Sequence, residues 1–206
     1  GLNSLSLYDR HGRKLWRYAT GPLLENIVIW PKKGGRPDII VGTFSYGNGS
    51  HDLHTETKAR QAHVISIDGY GKTNWAIRMG GYYTGVRVLL ANLEGVETQA
   101  LYAHKYTAFK YRTDEGGLYR ISRSGRILNR FETDNSILSV VAGTSGVTSE
   151  KHFYAVDKKN NLFKPKKKSS YTSSYPTSSK FSSSKFDKID KEVKEILENN
   201  PQKKVS

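Results

Sequence analysis

The chain has 206 residues, of which 36% are hydrophobic, 25% charged and 11% aromatic, enough apolar matter for a packed core in one or two domains. It contains no cysteine, which excludes a disulfide scaffold, a zinc ribbon and a thiol nucleophile, and no apolar run approaches the ~18 residues of a membrane span. Lys plus Arg number 33 against 19 for Asp plus Glu, a balance that suits an anionic partner such as nucleic acid, anionic lipid or an acidic protein.

In chain order, the first element is Leu5-Ser6-Leu7-Tyr8-Asp9-Arg10-His11-Gly12-Arg13-Lys14-Leu15-Trp16. It reads as a β-hairpin: a strand of β-formers, a turn whose glycine can take positive φ and whose aspartate can cap it, and a second strand ending in a large aromatic. Residues 27–30, the polar stretch 31–37 and residues 38–43 follow as strand, turn, strand. A long polar insertion over 44–61 precedes a second hairpin, Val64-Ile65-Ser66-Ile67-Asp68-Gly69-Tyr70-Gly71-Lys72-Thr73-Asn74-Trp75. Strands over 86–91 and 99–104 come next. A weaker third hairpin over 118–129 keeps Gly125 but has Ser122 for the aspartate and Asn129 for the tryptophan. Strands over 136–142 and 151–156 complete a third strand-turn-strand unit. A further strand begins Asn161-Leu162-Phe163-Lys164 and meets Pro165, which cannot donate to a ladder.

Beyond that point the pattern changes. Residues 1–162 hold 22 Lys/Arg and 14 Asp/Glu, while 163–206 hold 11 and 5 in about a fifth of the length, so the tail is disproportionately basic. Its sharpest run, Lys164-Pro165-Lys166-Lys167-Lys168, reads as a solvated end of the fold before a phosphate site is invoked. Residues 164–184 are expected to be a disordered Lys/Ser-rich linker. Over 185–200, Phe186, Ile189, Val193, Ile196 and Leu197 recur at helical spacing behind a Ser184/Asp187 capping box, which predicts a short amphipathic helix. Residues 201–206 are expected to be disordered. The chain opens on Gly1 and its single methionine is Met79, so a segment of something longer is expected; no signal-peptide pattern is visible.

The strongest organising signal is self-similarity. The first two hairpins align at an offset of 59 with Asp, Gly and Trp in common, with the third 54 further on, and the strand-turn-strand units fall between them. Four short strands per 50–60 residues is what a propeller blade requires, because one four-stranded sheet cannot bury both of its faces alone. The fold expected for 1–163 is therefore all-β: a partial β-propeller of about three four-stranded antiparallel blades, some thirteen strands, too few to close a ring. Such a segment should meet the remaining blades of a parent protein or self-associate.

At Asp9, Gly12 and Trp16, at Asp68, Gly71 and Trp75, and at Gly125, the chain resembles the PQQ-like, or quinoprotein-like, family of β-propeller repeats, over about residues 2–163. The strand-turn-strand units also look like the FG-GAP type. The resemblance implies a propeller that is either a cofactor-dependent dehydrogenase or a binding scaffold or sensor. FG-GAP repeats bind calcium through acidic turns. Here 31–38 has one acid against three bases and 143–150 has one acid, too few oxygen ligands for calcium.

Among residues that could carry chemistry, His51, Asp52, His54 and Glu56, with His63 nearby, combine imidazole and carboxylate in the 44–61 insertion. Their spacing fits no zinc signature, so they are assigned to an ordinary surface loop first and to partner contact second. Trp16 and Trp75 could stack a flat ligand, but their place in a repeated hairpin assigns them to packing between blades. Tyrosines interleaved with arginines, as at Tyr119 and Arg120, could stack single-stranded nucleic acid, though tyrosine is also a good strand residue. Asn48-Gly49-Ser50 is a formal glycosylation sequon. Signatures of serine hydrolases, P-loops, dinucleotide folds and zincins are missing.

The function expected is a non-catalytic binding or sensing module, with no cofactor and no metal, that contacts a protein or small ligand through propeller loops or a blade face. Part of a quinone-dependent oxidoreductase is one alternative. A basic nucleic-acid-binding module is the other and the lesser.

Overall fold

A computed structural model describes residues 3–46, 57–92, 99–108, 116–133, 135–144, 151–159 and 161–163. The expected linker, C-terminal helix and final residues, 164–206, lie outside the described residues, and so does 47–56 of the insertion. The described chain is all β, with thirteen strands and no helix. They are β1 (Ser4–Tyr8), β2 (Lys14–Ala19), β3 (Leu23–Trp30), β4 (Asp38–Phe44), β5 (Ala62–Ile67), β6 (Thr73–Gly80), β7 (Thr84–Ala91), β8 (Ala100–Thr107), β9 (Gly116–Ile121), β10 (Ile127–Thr133), β11 (Ile137–Thr144), β12 (Lys151–Asp157) and β13 (Leu162–Phe163).

Every pairing is antiparallel. Strands β1 and β2 form a hairpin, β3-β4-β5-β6 and β7-β8-β9-β10 form two four-stranded meanders, and β11-β12-β13 form a third sheet. The two meanders join through a single residue pair, Phe44 with Gly85. Trp16 and Trp75 differ from expectation in one respect. Each is the third residue of its strand, not the last, because Tyr18 and then Ile77 and Met79 continue the alternation of inward side chains beyond it.

Alternation explains how the sheets pack. On β4, Ile39 and Val41 face one core and Ile40 another; on β5, Ile65 and Ile67 face the first and Val64 the second. Side chains alternate across a strand, so a strand buried on both faces reads as a continuous apolar run, and β5 is buried at all six positions. Three cores follow in chain order. The first joins Tyr18 of β2 to β4 and β5. The second sets Ile40, Val64 and Met79 against Val86, Val88, Leu101, Tyr119 and Ile121. The third sets Tyr102 and Leu118 against Ile137, Phe153 and Ala155. Each four-stranded meander is thus sandwiched between its neighbours in the chain.

Candidate functional site

The repeated hairpin turns share one construction. In the first, Oδ1 of Asp9 accepts from the backbone N–H of His11 and Arg13 at 2.8 and 3.0 Å; in the second, Asp68 accepts from Tyr70 and Lys72 at 2.8 and 2.9 Å. These hydrogen bonds hold both carboxyls below the usual carboxylate range, the bond from Arg13 leading at Asp9 and that from Lys72 at Asp68. Ser122 accepts from the N–H of Arg126 in the third copy. Gly12, Gly71 and Gly125 all have φ near +80°, at 77°, 85° and 79°, where a side chain is strained. A fourth turn escaped the sequence reading. Asp157 accepts from the N–H of Lys159 and Asn161, both at 2.9 Å, and closes β12-β13. An aspartate four residues before a turn's last N–H was the available signal, obscured by the lack of a glycine.

At the opposite end of the sheets, where β4 leads into the 44–61 insertion and β6 into β7, five aromatic rings gather. Phe44 stacks on Tyr106 at 6.2 Å and on Tyr46 at 6.0 Å, Tyr46 meets Tyr83 edge-on at 5.7 Å, and Tyr83 meets Tyr82 at 4.2 Å. All five are half-buried. Tyr83 has φ of 61°, a conformation that costs a non-glycine residue about 1–2 kcal/mol. The surrounding backbone holds it there: its N–H donates to the carbonyl of Ser45 at 2.8 Å, and its own carbonyl accepts from Ala108 at 2.9 Å. Ser45 adds a bond from Oγ to the carbonyl of Gly81 at 2.7 Å. One strained residue therefore ties together the ends of β4, β7 and β8.

Beside this cluster, Glu25 of β3 and Arg87 of β7 form an ion pair at 2.7 Å. The Arg87 guanidinium lies 5.4 Å from the centroid of the Tyr106 ring. Burial, and then the adjacent Glu25 carboxylate, push the Tyr106 phenol up, so it stays neutral. Asn26, next to Glu25, bridges the two meanders: its Nδ2 donates to the carbonyl of Val88 at 2.7 Å and its Oδ1 accepts from the Val88 N–H at 2.9 Å. His104 is buried on β8, hydrogen-bonds the carbonyl of Ile137 at 3.1 Å, and is pushed down to about 4, chiefly by burial. Neither Asn26 nor the Glu25–Arg87–Tyr106 set carries a local sequence signature. Pairing across more than sixty residues brings them together.

Of the residues singled out from the sequence, His51, Asp52, His54 and Glu56 lie outside the described residues. His63 is not a loop residue but a buried member of β5, with Nδ1 2.8 Å from the carbonyl of Gln61 and its pKa lowered mainly by burial. Trp16 and Trp75 do meet glycines. The Trp16 ring covers Gly71 and the Trp75 ring covers Gly125, with Nε1 donating to the carbonyls of Gly69 at 3.4 Å and Arg123 at 2.8 Å. No group of three or more His, Asp or Glu that could hold a metal ion is found among the described residues. No protein-family model matches the chain, and no curated protein matches it.

Proposed function

We propose that residues 1–163 are a segment of a β-propeller and serve as a non-catalytic binding or sensing module. In this reading β3-β4-β5-β6 and β7-β8-β9-β10 are two complete blades, β1-β2 is the outer half of a preceding blade, and β11-β12-β13 belongs to a following one. The single observation that supports it is the docking of Trp16 on Gly71 and of Trp75 on Gly125, the same indole-on-glycine contact made twice between successive units. A sandwich of two facing sheets offers no reason for such a contact to recur along the chain. Partner contact is assigned to the end that carries Tyr46, Tyr82 and Tyr83 and the 44–61 insertion. Strained residues and long loops concentrate where proteins bind.

The alternative, part of a quinone-dependent oxidoreductase, finds less support. Such an enzyme needs several carboxylates for calcium, and Glu25 is already engaged by Arg87. Titration of the full chain with pyrroloquinoline quinone, with and without calcium, tests the choice. No saturable binding is the outcome expected; saturable, calcium-dependent binding would replace the module with an enzyme.

A further inference from the structure

The end of the sheets opposite the aromatic cluster carries a different chemistry. The turns 9–13, 31–37, 68–72 and 122–126 come together there: Trp16, in the strand that follows the first, donates to the carbonyl of Gly69 at 3.4 Å, and further cross-links join the rest. Nη1 of Arg36 donates to the carbonyl of Gly69 at 3.2 Å, Trp75 Nε1 donates to Arg123, and Arg123 in turn donates to the carbonyl of Pro31. These turns and the residue after the first hold Arg10, Arg13, Lys14, Lys32, Lys33, Arg36, Lys72, Arg123 and Arg126. Among the described residues, the acids at this end are Asp9, Asp68 and Asp38. Oδ1 of Asp9 and of Asp68 accepts turn N–H groups, Oδ2 of Asp9 pairs with Arg13 at 2.7 Å, and Asp38 takes Arg123 at 3.5 Å, Lys32 at 3.8 Å and the Asn74 amide. Among the described residues the bases at this end outnumber the acids nine to three, an excess these pairs do not balance.

Exposed apolar side chains flank the same turns. Tyr70 is 65% exposed, Tyr8 56% and Leu15 53%, and Ile127 and Leu128 follow at the start of β10. Lysine and arginine interleaved with exposed leucine, isoleucine and tyrosine is the composition of a surface that lies on a bilayer, where the charges meet anionic headgroups and the apolar groups enter the acyl boundary. A nucleic acid would use the charges but not the aliphatic groups. Apart from Tyr8, the rings at this end are also engaged already. Arg36 lies over Tyr70 at 4.5 Å, Arg123 over Trp30 at 4.3 Å, and the two indoles cover glycines, whereas single strands bind by stacking on open aromatic faces.

We propose that this turn end is a docking surface for an anionic phospholipid bilayer. The full chain is co-sedimented with vesicles of phosphatidylcholine alone and with vesicles containing about 30% phosphatidylserine, at low and at high salt. Binding to the anionic vesicles at low salt, lost at high salt, is the result expected. Replacing Lys33, Lys72 and Arg126 together by Glu, all exposed side chains, lowers partitioning about 100-fold or more, at roughly fivefold per basic side chain removed. Leu15→Ser with Leu128→Ser weakens it about tenfold at unchanged salt dependence. Far-UV circular dichroism checks that each variant keeps its β-structure.

A control replaces Lys164, Lys166, Lys167 and Lys168 by Gln. Absence of vesicle binding, equal binding to neutral vesicles, or binding lost in the control but kept by the turn variant would overturn the proposal. So would tight oligonucleotide binding that the turn variant abolishes and the Leu15/Leu128 variant leaves untouched.

Discussion

The Trp75 indole lies flat against Gly125, and a Cβ placed on that glycine would come within 2.7 Å of the ring. The same residue's Nε1 donates to the carbonyl of Arg123, 48 residues ahead. The contact fixes one sheet's outer strand against the next sheet's turn, so losing it should loosen the stack and not merely a side chain. Trp75→Ala is expected to cost about 2–3 kcal/mol, as for a large, partly buried aromatic. Trp75→Phe, which keeps a ring but loses the N–H, should cost about 1 kcal/mol. Urea denaturation of both variants measures this, and equal small losses would show that the indole contributes no packing.

The glycines separate backbone strain from packing. Gly12 and Gly125 have nearly the same φ, 77° and 79°, but nothing lies within 4 Å of a Cβ at Gly12 while Trp75 fills that space at Gly125. Gly12→Ala should cost about 1 kcal/mol, the price of the left-handed conformation alone. Gly125→Ala and Gly71→Ala should each cost roughly 1–3 kcal/mol more, because the ring must move. Similar losses at all three positions, read from thermal or chemical unfolding, would mean the indoles yield freely.

Asn26 supplies both partners of the Val88 peptide groups. Asn26→Leu leaves a donor and an acceptor unpaired between β3 and β7 and should destabilise by about 2–3 kcal/mol. Asn26→Asp keeps the acceptor but opposes a carboxylate to the Val88 carbonyl, so it should not rescue the loss. Hydrogen exchange at the Val88 amide reports the change directly, faster in both variants than in the parent.

Acid should act through His104. Its folded-state pKa of about 4 lies below the ordinary 6.5 because burial, foremost, disfavours the imidazolium, with Arg87 also opposing it and the Ile137 carbonyl and Glu25 favouring it. The unfolded chain therefore binds a proton that the folded one refuses, and stability falls as the pH drops from 6.5 towards 4. It is fully present above 6.5. The loss amounts to on the order of 3 kcal/mol across that window, with a smaller part in the same direction from His63. His104→Gln should flatten most of this slope in denaturation curves measured between pH 7 and pH 4.

The repeat was legible because its parts are local. An aspartate, a glycine three residues on and a tryptophan four beyond that span eight residues, and the conformations they require, a capped turn with positive φ between two strands, are set by near neighbours. Positions of strands were legible for the same reason, although β3 begins four residues and β7 two residues earlier than their apolar patterns suggested. Asp157 shows the limit of reading by composition: without a glycine its turn passed unnoticed, yet its backbone hydrogen bonds repeat those of Asp9 and Asp68.

By itself, then, the sequence determined the all-β character of the described residues, their strands and the hairpin turns, since side-chain alternation and turn chemistry act over a few residues. Tertiary structure alone decided which residues meet. It sent His63 into β5, paired Glu25 with Arg87, set Asn26 on Val88, bent Tyr83 into a strained turn among four other rings, and gathered four basic turns at one end. These relationships depend on which face of each strand turns toward which neighbour and on the register between strands dozens of residues apart. No local pattern encodes that register; the stacking of one sheet on the next imposes it.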